Sequence, residues 1–411
     1  MIVSTQRPAH GGAVVAHHEG RVVLVHRALP GEIVEAELRG RRGGVSYASA
    51  VGVLSQSPDR VPPRCPHFGI CGGCSWQHAA YPAQLQYKME VVQDAWHGAG
   101  LRLPPDTPIS GMADPWRYRI RGEFEAIGGG ADLEFGFHRL RSHQTFPITT
   151  CPIHDLRIER TLFAFRDAGR ESGEEDIQNI LLTVEPTGPG VLWRIRRRGR
   201  SRPDQDQKLA QAASLRVPDL TLLDDSIGLD FWDLRFRVRS ETFVQTNYKQ
   251  MLVLYQAALE MLDAGPSAAV LDLYSGIGTI SVAAARTARA VTGVEENPGA
   301  AQLSLLSARI NSSVNLRALS GRVESVLGGI RLGEYQLGIL DPPRAGCDPQ
   351  AIAELLRLGL DRLVYISCEP STHARDIAHL VRGGYRVRRA ALVDMFPHTY
   401  HIESVALLER G

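Results

Sequence analysis

The sequence predicts a multidomain α/β protein in three parts. An N-terminal β-barrel of the OB type spans 1–58, a β-rich central domain spans 59–238, and a Rossmann-like domain spans 239–411. Three observations carry this division. Short apolar strands separated by glycine turns fill the first 58 residues. The pair Pro62-Pro63 marks a linker and leads into a tight run of cysteines. From about residue 240 strands alternate with helices, which builds a parallel sheet covered on both faces.

A chain of 411 residues has room for two or three domains. Its 44% hydrophobic and 22% charged content excludes a disordered, collagen-like or disulfide-dense protein. No apolar run approaches the roughly 18 residues of a membrane helix. The stretch from Met1 to Gly12 lacks the basic-then-apolar layout of a secretory leader. The expectation is a cytoplasmic monomer. A net charge of +1 is no global signature of a nucleic-acid partner. Of 46 basic residues, however, only Lys88, Lys208 and Lys249 are lysine. Guanidinium forks suit phosphates and base edges, although codon bias gives the same excess.

In the first part, Val22 to Val25 form a strand that Leu29-Pro30-Gly31 ends. Ile33 to Arg39 alternates, with Val34, Ala36 and Leu38 opposite Glu35, Glu37 and Arg39. Gly40 to Gly44 encloses Arg41 and Arg42 in a basic turn, and Ala48 to Leu54 is a further strand. This spacing suggests a small barrel; a β-domain without a ligand fits the pattern equally. In the second part, 81–99 read as a helix with Leu85, Met89, Val92 and Trp96 on one face. Trp116-Arg-Tyr-Arg-Ile-Arg121 opens a strand, and Gly128 to Gly130 turns it into a hairpin with 132–138. An acidic run, Glu171 to Asp176, precedes arginines at 194, 196, 197, 198, 200 and 202. The arginine run reads as a phosphate-contacting surface or as a solvated edge. In the third part, strands at 269–274, 290–295, 316–319, 336–341 and 362–367 alternate with helices, and two last strands flank 398–401. Ligands of such sheets sit beyond the carboxyl ends of the strands. The Gly276 loop, Asp341 and Cys368 fall there.

Four features carry chemistry. Leu271-Asp-Leu-Tyr-Ser-Gly-Ile-Gly-Thr279 is a strand running into a glycine turn that opens a helix. Gly276 and Gly278 let a ligand approach the backbone. Glu295 ends the next strand, where a ribose-binding acid belongs. The third glycine of a dinucleotide fingerprint, due near Ser281, is absent. That disfavours NAD and an oxidoreductase, and favours an adenosyl ligand without pyrophosphate, S-adenosylmethionine. Cys65-x5-Cys71-x2-Cys74, with Cys151 far downstream, suits zinc or an iron–sulfur cluster. One tight trio, a remote fourth ligand and Pro152 after it lean toward [4Fe–4S]; four free or buried thiols are the alternative. Cys368, in Ser367-Cys-Glu-Pro370, sits at a strand's carboxyl end and a helix N-terminus, a position that lowers a thiol pKa and makes a nucleophile. Lone cysteines also occur as small buried apolar groups. Glu403 interrupts the apolar strand of Ile402, Val405 and Leu407. Such a carboxylate is costly unless used or paired, so it is a general-base candidate, or else a salt-bridged or surface glutamate.

Together these residues resemble the S-adenosylmethionine-dependent RNA uracil-5-methyltransferases, over nearly the whole chain. The resemblance implies an RNA-holding TRAM domain in the barrel, a class I methyltransferase domain at the C-terminus, and Cys65, Cys71, Cys74 and Cys151 as ligands of a [4Fe–4S] cluster. Phe243-Val-Gln-Thr-Asn247 is similar to a cofactor segment of the family, which implies Gln245 as a cofactor contact. Tyr274, Thr279, Glu295 and Asp341 match further cofactor positions. Asp341-Pro-Pro-Arg344 matches a family motif, Cys368 the nucleophile and Glu403 the base. Three departures stand out. Glu369 replaces a common Asn, Tyr400 a common Gly, and Ser275 a frequent Cys. None removes a group the reaction needs, though Glu369 and Tyr400 bear on pocket shape and selectivity.

The resemblance implies that Cys368 adds to carbon 6 of uracil and makes carbon 5 an enolate nucleophile. Carbon 5 takes the sulfonium methyl, Glu403 removes its proton, and Cys368 leaves. General-base catalysis supplies roughly 10²–10⁴ in rate. The base must leave its stack. Trp116, Arg117, Tyr118, Arg119 and Arg121 are candidate RNA contacts, a structural hairpin being the other reading. Ribosomal RNA is expected ahead of tRNA, because the barrel-plus-cluster layout is commonest among ribosomal RNA enzymes. Methyl transfer is redox-neutral, so the cluster is expected to order the central domain or hold RNA. Two rivals remain. A cytosine-5-methyltransferase would draw on a cysteine beside Asp-Pro-Pro; Cys347 is close, but Arg344 stands at the usual position. A non-catalytic iron–sulfur RNA-binding protein is disfavoured by Cys368, Glu403 and Glu295.

Overall fold

The computed structural model describes all 411 residues. Strands Ile2–Ala9, Ala13–His18, Arg21–His26, Ile33–Arg42 and Val45–Ser55 close into a barrel, because the fourth pairs with both the first and the fifth. Small side chains, among them Val14, Ala16, Val25, Val34, Ala36 and Ala48, fill its interior. The first two strands went unread in the sequence. The turn at Gly43-Gly44 holds φ of +56° and +80°, a two-residue hairpin turn matched to strand twist.

A six-stranded sheet forms the middle, in the order Thr221–Leu223, Gly190–Arg197, Ile177–Val184, Arg121–Ile127, Glu134–His138, Thr145–Pro147. Helices Leu156–Ser172 and Pro203–Ser214 pack on it through Ile158, Leu162, Phe165 and Leu209. The strand expected from Trp116 begins only at Arg121. Arg117 takes φ of +53°, and its guanidinium donates to the carbonyls of Cys151 and His154 and pairs with Glu159. Tyr118 donates to the Pro397 carbonyl at 3.0 Å. Arg121 donates to the carbonyls of Ser240 and Thr242. Alternating side chains here tie segments together instead of forming a ladder. The two charge runs partly answer each other. Arg197 is buried against Glu174, Asp176 and Asp206, while Arg194, Arg196, Arg198, Arg200 and Arg202 stay exposed.

The last sheet has eight strands, in the order Leu316–Ser320, Ala290–Glu295, Ala269–Leu273, Leu337–Leu340, Arg362–Ser367, Glu403–Arg410, Tyr385–Val393, Ile109–Ser110. The first five are parallel; Glu403–Arg410 inserts antiparallel to both neighbours. Strand order reverses beside Ala269–Leu273, the switch point where open α/β sheets take ligands. The boundaries at 59 and 239 do not follow the packing. Strand Ile109–Ser110 extends the last sheet, and Val92 and Trp96 of helix Tyr81–Gly98 share its core with Leu363 and Tyr365. Ile227, Leu229, Phe236 and Val238 belong to that sheet's other core. Such pairings join residues hundreds of positions apart, so no local pattern reveals them. The helix is also rotated from expectation. It buries Gln84 and Lys88, while Leu85 and Met89 are half-buried. No helix is long and apolar enough to cross a membrane.

Candidate active site

Strand Ala269–Leu273 feeds a pocket lined by Gln245, Tyr274, Gly276, Thr279 and Asp341, with Phe243, Tyr255 and Asp272 beside them. Tyr274 holds φ of +64°, a conformation that persists only where surroundings fix it. Gly276, at φ +55°, has nothing within 4 Å of where a Cβ would stand. Gly278 differs, and it does not line the pocket. A Cβ there would overlap the Ser304 hydroxyl and lie 3.2 Å from the Ser304 Cα. Open space over a glycine backbone is thus found at Gly276, whereas Gly278 serves the packing of helix Thr279–Ala284 on helix Pro298–Ile310. Glu295 lies outside the pocket lining. Its two oxygens accept the Gly276 N–H at 2.8 Å and the Asn297 N–H at 2.7 Å, bracing the loop. Asp272 and Tyr255 were missed in the sequence. Asp272 accepts from the Ser281 hydroxyl, and burial pushes it up to about 7. Burial, then the charge of Asp272, pushes Asp341 to about 7 as well. Carboxyls raised this far sit ready to ionise beside an arriving cation.

Cys368 follows strand Arg362–Ser367 and precedes helix Pro370–Arg382. Its neighbour strand begins at Glu403, with Ser404 opposite Ser367. Asp341 follows Leu337–Leu340 on the other side. Three adjacent strands therefore deliver Cys368, Glu403 and Asp341 to one end of the sheet. Burial pushes the Cys368 thiol up to about 12; Glu403 and Asp341 add to this, and Arg344 opposes them by charge and hydrogen bond. The lowered pKa expected at a helix N-terminus is therefore corrected. Partial charges of the helix end lose to burial and two carboxylates. Glu403 is buried, and burial first, Asp341 second, push it up to about 8 against Arg344. Arg344 is the cation shared by both groups. It also lies 3.3 Å from His401 Nε2.

The loop presenting Glu403 is clamped from outside the C-terminal region. Lys88 and Asp394 form a fully buried ion pair at 2.5 Å, and Tyr81 donates to Asp394 at 2.8 Å. Gln84 accepts the His398 N–H at 2.8 Å. Trp116 stacks on the His398 ring, centroids 3.8 Å apart, and Arg64 lies over Trp116. Trp116, Arg117, Tyr118 and Arg121 are thus engaged inside the protein, which favours the structural reading of that stretch.

Cys65, Cys71, Cys74 and Cys151 line one cavity of about 720 Å³. No three His, Cys, Asp or Glu side chains converge tightly enough for a single metal ion; the thiols ring the space. Burial, then neighbouring thiols, push Cys74 to about 12; Cys151 also rises to about 12, largely by burial. The Gly73 N–H points at Cys71 Sγ at 3.3 Å, and His154 Nδ1 lies 3.0 Å from Cys151 Sγ. Thiols with such pKa values become ligands only when a cation takes their protons' place. Four thiols lining one cavity, with the Gly73 N–H on one sulfur, are a donor set that a multi-iron group would suit.

The sheet order and the strand-end pocket define a Rossmann-like domain with a ligand cleft at its switch point. Residues 217–411 match the family model described as tRNA (Uracil-5-)-methyltransferase. An uncharacterised RNA methyltransferase of Halalkalibacterium halodurans is 33% identical, covering 99% of this chain and 96% of that protein. The 23S rRNA (uracil(1939)-C(5))-methyltransferase RlmD of Alkalilimnicola ehrlichii is 32% identical, covering 98% and 95%. The crystal structure of the Pyrococcus abyssi tRNA (uracil-54, C5)-methyltransferase with S-adenosyl-L-homocysteine aligns over 99% of both chains, with a TM-score of 0.74 and 22% identity, and so shares the fold. This chain belongs to the S-adenosylmethionine-dependent RNA uracil-5-methyltransferase family.

Proposed function

We propose that this protein methylates carbon 5 of a specific uridine in ribosomal RNA through a covalent bond between Cys368 and carbon 6 of the base. The observation that carries this is the convergence of Cys368, Glu403, Asp341 and Arg344 at the ends of three adjacent strands, beside the glycine loop. The Cys368 thiol gives up its proton to solvent, and Arg344 favours the resulting thiolate by hydrogen bond and charge. The Cys368 sulfur bonds to carbon 6, and the electrons of the 5,6 double bond move into the enolate. Carbon 5 then takes the sulfonium methyl, releasing S-adenosyl-L-homocysteine. Glu403, with a pKa near the working pH, accepts the carbon 5 proton as the carbon–sulfur bond breaks.

Gln245, Tyr274, Gly276, Thr279 and Asp341 are the proposed cofactor contacts. Glu295 keeps lone pairs for a ribose hydroxyl beyond the two backbone N–H groups it accepts. Gly278 contributes only through its backbone and the helix it opens. Cys65, Cys71, Cys74 and Cys151 are the proposed ligands of a [4Fe–4S] cluster, which when bound ties the 65–74 segment to Cys151. The barrel, the cysteine-centred sheet and the catalytic sheet, with 81–110 joined to the last, are the proposed functional units. Relatives named as 23S rRNA enzymes match 98% and 99% of the chain, which supports ribosomal RNA and, with it, a cytoplasmic location. The name of the matching family model supports tRNA as the second reading. Nucleoside mass spectrometry of purified ribosomal RNA and tRNA, from cells with and without the gene, tests this. Loss of 5-methyluridine from ribosomal RNA is expected. Loss from tRNA alone establishes the second reading, and loss of 5-methylcytidine contradicts both.

A further inference from the structure

The barrel reaches the catalytic centre through one turn. His10 follows the first barrel strand, and Gly11 and Gly12 hold φ of +83° and +78°. A Cβ at Gly12 would lie 2.7 Å from the Ser75 Cβ and 3.4 Å from the Tyr400 ring, so the barrel, the cysteine segment and the Glu403 loop meet there at glycine distance. His10 Nε2 lies 3.0 Å from Glu369 Oε1. Glu369 is the residue next to Cys368, and its side chain is largely covered. The His10 ring also meets Tyr400 edge-on, with centroids 5.3 Å apart. Tyr400 packs on His401 at 4.1 Å, and His401 contacts Arg344. A continuous set of contacts thus runs from the barrel turn around the thiol: His10 to Glu369 on one side, and His10 to Tyr400, His401 and Arg344 on the other.

We propose that His10 is a positioning residue for methyl transfer, by which the barrel sets the Cys368 loop and closes the wall of the target-base pocket. This rests on Cys368 being the nucleophile. The Glu369 carboxylate faces the His10 ring nitrogen and also accepts the Ser371 backbone N–H. Without His10 this largely covered carboxylate keeps only that N–H and is held less firmly beside the thiol and the incoming base. The barrel is then more than an RNA anchor. Its docking is part of the geometry the reaction needs, and small misplacements of reacting groups are expensive.

The test compares His10→Ala, His10→Gln, Glu369→Gln and the His10→Ala/Glu369→Gln double variant in the full chain, with Cys368→Ala as reference. His10 is partly exposed, so the fold tolerates its replacement. Single-turnover methylation by His10→Ala should fall roughly tenfold to a hundredfold, with RNA affinity changed less than about threefold, about 0.7 kcal/mol. His10→Gln, which keeps a donor for Glu369, should recover most of the rate. The double variant should be no slower than the worse single one. Independent multiplication of the two losses, or a defect in RNA affinity alone, overturns the proposal. Covalent capture on 5-fluorouridine RNA separates it from the reading beneath it. Capture surviving Cys368→Ala overturns the nucleophile itself, whereas capture lost in Cys368→Ala with an unchanged rate in His10→Ala overturns only the role of His10.

Discussion

The two cysteine regions share a physical state and differ in what surrounds it. Cys74 and Cys151 in the centre and Cys368 at the sheet end are each pushed up to about 12, chiefly by burial. A thiol there is inert at neutral pH, so each region works only when something takes its proton. Around the four-cysteine cavity the groups that act on Cys74 and Cys151 by charge are other thiols, while Arg119, Arg139 and Arg141 also line the space. A cationic group bound there would take the place of the thiol protons. Around Cys368 stand Arg344 and two carboxyls already raised toward neutrality. That set can move a proton on demand. Burial alone therefore distinguishes neither a ligand from a nucleophile; the company does.

The largest effect expected from breaking this contrast is Cys368→Ala, which should abolish capture on 5-fluorouridine RNA and lower methylation by on the order of 10⁴-fold or more, measured by tritiated methyl incorporation. The proposed cluster predicts iron in the purified chain, read by elemental analysis and visible absorbance, and its loss in Cys74→Ala, while the Cys368 capture chemistry stays intact in whatever fraction folds. Glu403→Gln should slow turnover by roughly 10²–10⁴. It should also accumulate the methylated covalent complex on ordinary RNA, because carbon 5 keeps its proton. Lys88→Met strands Asp394 in the interior, and a loss of about 3–5 kcal/mol in denaturant unfolding is expected.

The smallest effect is on pH. Asp272, Asp341 and Glu403 hold protons more tightly folded than unfolded, with folded values of about 7, 7 and 8. The folded chain then carries more protons from the ordinary carboxyl range up to about pH 8, so its stability is greatest below that window and falls as pH rises through it. Thermal melts of cofactor-free protein should show this fall, Glu403→Gln should flatten it, and saturating S-adenosylmethionine, a cation, should offset it. The methylation rate should move the other way, rising as Glu403 loses its proton near pH 8.

Cys368, Glu403, Asp341 and the Gly276 loop were legible because strand ends are local features and parallel sheets gather them. The barrel was legible from alternation, though its first two strands were not. What sequence reasoning missed is long-range or energetic. Gln84 and Lys88 sit on a buried helix face that apolar periodicity assigns to Leu85 and Met89, because their partners, His398 and Asp394, lie more than 300 residues away. Trp116 to Arg121 alternates like a strand, but its guanidiniums close carbonyls across other segments. The thiol shift at Cys368 was read with the wrong sign, since a helix end is visible in sequence while a buried carboxylate pair is not. Arg344 was read as motif only for the same reason.

The proposed reaction requires a sulfur–carbon bond at Cys368 that the four-cysteine region does not form. Intact-protein and peptide mass spectrometry of the full chain, incubated with S-adenosylmethionine and 5-fluorouridine-substituted ribosomal RNA, tests it directly. A single RNA-linked peptide containing Cys368 and carrying one transferred methyl group is the predicted result. An adduct on Cys347 or on one of Cys65, Cys71, Cys74 and Cys151, or methylated RNA with no protein adduct, would contradict it.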